Sequence, residues 1–348
     1  MSDKIQIMTR DKVAEALAPI IISASRSTDI PAFYASWFIE RLRQGYVVWT
    51  NPFNQKPMYV SFNHTKAIVF WSKNPKPIIP YLHELDKRGI CYYFQFTLND
   101  YEKEGFEPNV PPLEDRIATF KQLSSLIGKE RVIWRFDPLM ITSELSARDL
   151  LLKIWNIGNQ LKDYTEKLVF SFVDVQTYLK VQNNLIKRTH YFDKNSVQYA
   201  ELTEKQIIEI VEGLCKIREY WKSEGWDIIL STCAEGIDLD MYKIEHNRCI
   251  DGELMVRIFP ENEQLQYYLN HGTFEIDLFA SEASMPFYQS KSAKDKGQRK
   301  ECGCIESKDI GMYNTCPHNC VYCYANTSPE AVKNNFLKHK LDSESIIL

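Results

Sequence analysis

The sequence lacks several features that fix a protein's class early. No run of apolar residues reaches the roughly 20 needed to span a bilayer. The opening stretch MSDKIQIMTRDKVAEALAPIII carries scattered charges and no signal-peptide core. There is no surplus of positive charge: 42 Lys and Arg stand against 46 Asp and Glu, a net charge of −4. That balance excludes nucleic-acid binding through bulk charge, while leaving room for a local basic groove. No short-period repeat is present. Histidines form no metal set: His64, His83, His190, His246, His271 and His339 are scattered. The expectation is a soluble, cytoplasmic protein that does not engage a membrane.

What is present is globular in proportion, with 348 residues, 44% apolar and 25% charged. Length allows one large α/β domain or two smaller ones, stable without disulfides. Nine cysteines in such a chain are expected to be thiols serving metal or redox chemistry. Their distribution is uneven. Cys91 and Cys215 stand alone and read as ordinary strand and helix residues. Cys233, Cys249, Cys302, Cys304, Cys316, Cys320 and Cys323 crowd the last third, which points to a chemical site built there.

Short apolar and β-branched runs alternate with amphipathic stretches. Strands are expected at Ile20–Ser25, Tyr46–Thr50, Ala67–Ser72, Cys91–Thr97, Val132–Asp137, Leu168–Val173 and Asp227–Cys233. Several are apolar almost throughout, as in parallel sheets covered on both faces. Helices are expected at Pro31–Arg43, Lys76–Lys87, Leu113–Ile127, Ala147–Leu161 and Glu204–Lys222, the last opened by a Thr203–Gln206 capping box. Alternating βα units predict an α/β fold with a parallel sheet, a partial or full (β/α) barrel. Residues 1–280 form the barrel body. Residues 281–300, polar and carrying Lys291, Lys294, Lys296, Arg299 and Lys300, read as a surface connection. Residues 301–348 form a cysteine-rich strand–loop–helix, with a strand near Asp309–Tyr313 and a helix capped by Ser328 and Pro329.

Cys316, Cys320 and Cys323 are spaced C-x-x-x-C-x-x-C on that last loop. Three thiolates can meet one centre from so short a loop, and thiolate ligation favours iron–sulfur or zinc. On a cubane of four irons, three thiolates leave one iron open to a chelating ligand. His318 lies inside the loop and is expected to order it rather than to ligate metal.

The wording CPHNCVYCYAN, with Tyr322 just before the third cysteine, resembles the cluster motif of radical S-adenosylmethionine enzymes, and especially the spore photoproduct lyase-like branch. With SASRSTDIPAFY, FWSKNP and WRFDPL, it makes nearly the whole chain resemble a bacterial family of unknown function whose C-terminal cysteines look like that motif. The resemblance implies a 4Fe–4S cluster on Cys316, Cys320 and Cys323, with S-adenosylmethionine chelated at the open iron. It implies reductive cleavage of that cofactor to a 5′-deoxyadenosyl radical that takes hydrogen from a substrate. A flavodoxin- or ferredoxin-type reductase is the implied electron donor. The substrate is open, and the lyase-like branch hints at nucleic acid, with 13% aromatics available to stack on bases.

Ordinary members of that superfamily carry the motif after the first barrel strand, whereas here it is near the C-terminus. A circular permutation accounts for this: the last strand–loop–helix is the first βα unit of the barrel. The Gly-Gly-Glu segment that often holds the cofactor's amine is not recognisable, and under the permutation its role falls near Ser25–Asp29, including Ser27.

Polar residues end nearly every candidate strand, where the mouth of a parallel barrel lies. Arg26 or Arg135 is placed to fork onto a carboxylate, and Asp29, Asp137 or Glu235 to hold an amine or ribose hydroxyls. The alternatives are that Asp29 caps the helix beginning near Pro31, and that Arg135 and Asp137 are a buried ion pair. Cys233, Cys249, Cys302 and Cys304 form a candidate second site for a 4Fe–4S cluster or a structural zinc; alternatively, Cys233 and Cys249 are small core residues. The leading expectation is a radical S-adenosylmethionine enzyme. The alternatives are a non-catalytic or regulatory iron–sulfur or zinc protein, and a barrel hydrolase with a structural metal.

Overall fold

A computed structural model describes residues 3–273 and 285–347. Strands β1 (Asp3–Met8) and β2 (Val13–Ala18) form an opening hairpin, and β3 (Ile21–Ala24) leads into helices α1 (Ile30–Phe33) and α2 (Ala35–Gln44). A second hairpin, β4 (Tyr46–Thr50) and β5 (Pro57–Ser61), comes next. Strand–helix units follow: β6 (Ala67–Ser72), α3 (Leu82–Asp86), β7 (Cys91–Thr97), α4 (Leu113–Ile127), β8 (Val132–Leu139), α5 (Ala147–Leu161) and β9 (Lys167–Phe172). Helices α6 (Leu179–Arg188) and α7 (Glu204–Ser223) precede β10 (Ile229–Thr232) and β11 (Glu245–His246). The chain closes with α8 (Gly252–Ile258), α9 (Glu263–His271), β12 (Lys308–Asp309) and α10 (Pro329–Phe336).

Eight strands form one sheet in the order β12-β3-β6-β7-β8-β9-β10-β11. Every neighbouring pair in it is parallel. The order is the chain order with one displacement: the last strand sits beside the first. Lys308 pairs with Ile22 and Asp309 with Ser23. Among the described residues β11 and β12 remain the two edges, so the full barrel allowed by the sequence is not met.

Side-chain alternation along these strands divides the core. Ile68 and Phe70, Phe94 and Phe96, Trp134 and Phe136, and Leu168 and Phe170 point to the face covered by α2, α4, α5 and α7. Ala67 and Val69, Tyr93, Ile133 and Val169 point to the other, where α8, α9, Ala293 and Ile305 cover them. On this second face the strands change character towards their C-terminal ends. Trp71, Gln95, Thr97, Arg135, Asp137, Ser171 and Cys233 continue the same alternation in polar or reactive residues.

Six of the expected strands join this sheet. The seventh, Tyr46–Thr50, does not: it pairs antiparallel with β5 in a four-stranded sheet ordered β1-β2-β5-β4. A short Asn51–Lys56 turn between two β-rich runs favours a local hairpin over a crossover. The expected Pro31–Arg43 helix is two pieces broken at Tyr34, whose backbone leaves the helical region at φ −129°. The expected Lys76–Lys87 helix shortens to α3 because Pro75, Pro77 and Pro80 lack the N–H groups a helix needs. The Thr203–Gln206 capping box is present. Of the 281–300 connection, 281–284 lie outside the described residues. Beyond them Phe287 packs edge-on to Tyr268, Ala293 is fully buried and Lys294 bridges Ile305.

Candidate functional site

The C-terminal ends of the parallel strands open into a cavity of about 1140 Å³. Its wall includes Ser25–Asp29 after β3, Ser72 and Lys73 after β6, Arg135 and Asp137 of β8, and Cys233–Glu235 after β10. This is the edge at which parallel α/β sheets place their ligands. Cys233, Cys249, Cys302, Cys304, Cys316, Cys320 and Cys323 all line it. The seven clustered cysteines of the sequence therefore face one space, and all are free thiols. Cys91 and Cys215 lie elsewhere.

The triad loop is seated by its flanks. Asp309 of β12 accepts from Ser23 Oγ (2.7 Å), Ser25 Oγ (2.8 Å), the Arg26 N–H (2.8 Å) and the Gly311 N–H (2.8 Å). Gly311 then passes so close to Ser25 that any Cβ would collide with its side chain. The strand here is Lys308–Asp309, so only Asp309 of the expected Asp309–Tyr313 strand belongs to it. Further along, Tyr34 Oη donates to Thr315 O (2.5 Å), Asn326 Nδ2 to Cys316 O (2.8 Å) and Arg188 to Asn319 O. The Val321 N–H donates to Phe106 O (2.9 Å) and Asn109 Nδ2 to Pro317 O (2.8 Å), tying the loop to the β7–α4 connection. These bonds pair backbone groups of Thr315, Cys316, Pro317, Asn319 and Val321 along the loop.

His318 is buried and orders the loop. Its Nε2 lies 2.8 Å from Asp29 Oδ2, and its ring meets Phe33 edge-on at 4.6 Å. Asp29 also caps α1 through the Ala32 N–H (3.0 Å) and accepts from Ser72 Oγ and the Lys73 N–H, each at 2.8 Å. Both carboxylate oxygens are taken by protein donors, so the helix-cap alternative describes Asp29.

Tyr322, between the second and third cysteines, ends in a buried polar knot. Its hydroxyl donates to Glu107 and accepts from Lys73 Nζ (2.9 Å) and Asn99 Nδ2 (3.0 Å). Lys73 Nζ reaches Glu107 at 2.7 Å, and Arg116 stands 3.7 Å from the other carboxylate oxygen. Burial opposes the Glu107 charge, but Lys73 and Arg116 outweigh it and hold the carboxyl down to about 2. Burial pushes the Cys316 thiol well above its ordinary value and Cys320 up to about 12, with Lys73 partly offsetting the latter. Burial raises Cys323 too. Each of the three sulfurs lies within electrostatic reach of the others. A buried trio of soft donors suits an iron–sulfur centre better than a hard cation, and loading it must release protons.

Arg135 and Asp137 are the ion pair expected as an alternative, with Arg135 Nε 3.0 Å from Asp137 Oδ2. The guanidinium also donates to Gln95 Oε1 and to Cys249 Sγ, both at 3.1 Å. Arg26 lies over the Trp71 ring at 5.1 Å and 3.8 Å from Asp295. Its Nη2 is buried without a hydrogen-bond partner. Ser27 lines the cavity and bonds Ser25, at Oγ–Oγ 3.1 Å. Glu235 accepts from the Phe172 N–H (2.8 Å), and burial lifts its carboxyl to about 7.

Cys233 and Cys249 touch, Sγ to Sγ, at 3.4 Å. Cys302 and Cys304 line the same cavity wall, and the Ile250 N–H, next in the chain to Cys249, donates to Cys304 Sγ at 3.3 Å. Among the described residues no three His, Cys, Asp or Glu side chains stand in the compact arrangement of a single-ion site.

Sequence reasoning missed Glu107, Arg116 and Tyr178. Glu107 sits in a polar connection that carries no motif, and only the fold brings it to Tyr322. Arg299, read as a linker charge, stacks on Tyr178 at 5.2 Å and bonds its hydroxyl at 2.7 Å. The β4–β5 hairpin reaches the rim, where Lys308 Nζ lies 3.0 Å from the centre of the Trp49 ring.

The family described as a domain of unknown function, DUF1848, matches residues 21–325. The chain belongs to that family. No curated protein and no solved structure matches it. The DUF1848 span begins at β3 and ends just past the triad, so it takes in the parallel sheet and every cysteine that lines the cavity. It leaves out the β1–β2 hairpin and α10. No helix among the described residues is long and apolar enough to cross a membrane.

Proposed function

We propose that this chain is a radical S-adenosylmethionine enzyme built on a permuted partial (β/α) barrel. Cys316, Cys320 and Cys323 would hold a 4Fe–4S cluster, and the adjoining cleft would take the cofactor and a substrate. The observation that carries the reading is topological. The three-cysteine loop follows an edge strand, β12, which lies parallel to β3, and the loop faces the cavity at the C-terminal ends of the strands. Moving that last strand–loop–helix to the front of the chain makes strand order and chain order the same. When bound, such a cluster supplies an electron to the cofactor's sulfonium and an open iron for its amino acid end.

The protein's own contribution is positional. Asp29 and Glu107 anchor the loop at His318 and Tyr322, on either side of Cys320. The unpartnered Arg26 Nη2 is a donor suited to a carboxylate. Tyr178 and Tyr324, with ring centres 5.5 Å apart, give the cleft an aromatic wall.

The test is spectroscopic. After anaerobic reconstitution and reduction, the cluster's EPR signal is expected to change when S-adenosylmethionine is added. A signal indifferent to the cofactor would replace this reading with that of a non-catalytic iron–sulfur protein, and zinc in place of iron with that of a zinc protein.

A further inference from the structure

A second group of sulfurs faces the cavity away from the triad loop. Cys233 ends β10, Cys249 follows β11, and Cys302 and Cys304 arrive from the segment before β12. These are three separate stretches of chain, and the fold brings all four cysteines to one cavity wall, with Cys233 and Cys249 in contact at 3.4 Å. Ordinary core cysteines pack against hydrocarbon. Cys249 and Cys304 pack in the second apolar cluster, yet N–H donors also reach their sulfurs. Arg135 Nη1 donates to Cys249 Sγ at 3.1 Å, Asn247 Nδ2 to the same sulfur at 3.4 Å, and the Ile250 N–H to Cys304 Sγ at 3.3 Å. A neutral thiol is a weak acceptor, whereas N–H groups aimed at sulfur are the outer shell of thiolate metal centres.

Charge points the same way. The buried Arg26 and Arg135 guanidiniums both lie within electrostatic reach of these sulfurs. Arg135 has Asp137, whereas Arg26 meets its nearest carboxylate only at 3.8 Å. A buried cation without full compensation is costly, and a negatively charged thiolate centre beside it removes that cost.

We propose that Cys233, Cys249, Cys302 and Cys304 are the four ligands of a second metal centre, an iron–sulfur cluster or zinc, fully coordinated by protein thiolates. Four protein ligands leave no open position, so this centre does not bind S-adenosylmethionine. The metal-bound state separates Cys233 from Cys249: their 3.4 Å contact is shorter than the about 3.8 Å between two sulfurs on one zinc. The proposal stands whether or not the triad performs radical chemistry.

The experiment counts metal in the full-length protein after anaerobic purification and reconstitution. A Cys316/Cys320/Cys323→Ala variant is expected to keep one centre per chain, either about four irons with equal sulfide or one zinc. Its spectrum is expected not to respond to S-adenosylmethionine. Adding Cys249→Ser and Cys304→Ser is expected to remove that centre. A folded triad variant free of metal, or metal retained after the further substitutions, overturns the proposal. Should the combined variant not fold, Cys302→Ser alone is expected to speed metal loss to a chelator at least tenfold. An unchanged rate overturns the proposal. Absence of deoxyadenosine from the wild type would count against the triad reading and leave these metal counts untouched.

Discussion

Glu107 shows how one side chain couples burial, charge and the site. It is 8% exposed, bonded to Tyr322 and Lys73, and neighboured by Arg116. Its folded pKa of about 2 lies below the ordinary 4.5. A depressed carboxyl contributes stability that is present above about pH 4.5 and is lost as pH falls towards 2. The size is on the order of 3 kcal/mol. Glu107→Gln is expected to flatten the acid limb of the stability curve across that window, measured as urea midpoints of the metal-free protein. At pH 7 the same change leaves two buried cations without their anion and is expected to destabilise by about 3 kcal/mol. An acid limb as steep as that of the wild type would show that Glu107 does not carry this charge network. No spacing or motif marks Glu107 in the sequence, whereas Cys316, Cys320, Cys323 and Tyr322 are legible because their pattern is local. Arg26 and Arg135 were legible as strand-end polar residues, but their sulfur partners depend on the fold.

At the scale of elements, β12 is the piece on which the site depends, and it is only two residues long. Three hydrogen bonds to the Asp309 carboxylate, from Ser23, Ser25 and Arg26, and the Ile310 N–H to Ser23 O bond (3.1 Å) hold it to β3 and its C-terminal extension. Asp309→Ala is expected to cost about 3 kcal/mol, since a hydrogen bond to a charged group contributes roughly 1.5–3 kcal/mol net. Hydrogen exchange at Ile310 should accelerate, and the iron held by the triad should fall. Protection of the β1–β2 hairpin should stay as it was. Gly311→Ala should act the same way, because its Cβ meets the Ser25 side chain. Normal Ile310 protection in both variants would contradict the assigned role of this edge.

Six parallel strands were readable because apolar runs of that length, bounded by polar residues, have few other homes. The β1–β2 hairpin was not, since VAEALA is rich in helix formers and takes strand form only by pairing with β1. Helices α6, α8 and α9 also went unread. In α6, only Val181, Asn184 and Leu185 are buried, too narrow a stripe to stand out in sequence.

For the whole molecule, the informative relation is between chain order and space. Residues 21–25 and 308–311 are far apart in sequence and adjacent in the sheet, which brings the C-terminal cysteines to the mouth built by the rest of the chain. The last strand–loop–helix and its cysteine loop were readable in advance. Closure was not, because it depends on contacts between edge strands that no local pattern records. In the described residues the sheet stays open, and α8 and α9 cover one of its faces. The measurement that tests the central claim most directly is 5′-deoxyadenosine formation by the reconstituted, reduced protein supplied with S-adenosylmethionine, compared with Cys320→Ala. The account predicts deoxyadenosine and methionine from the wild type and none from the variant. No deoxyadenosine from a wild type loaded with iron and sulfide, or equal amounts from both proteins, would contradict it.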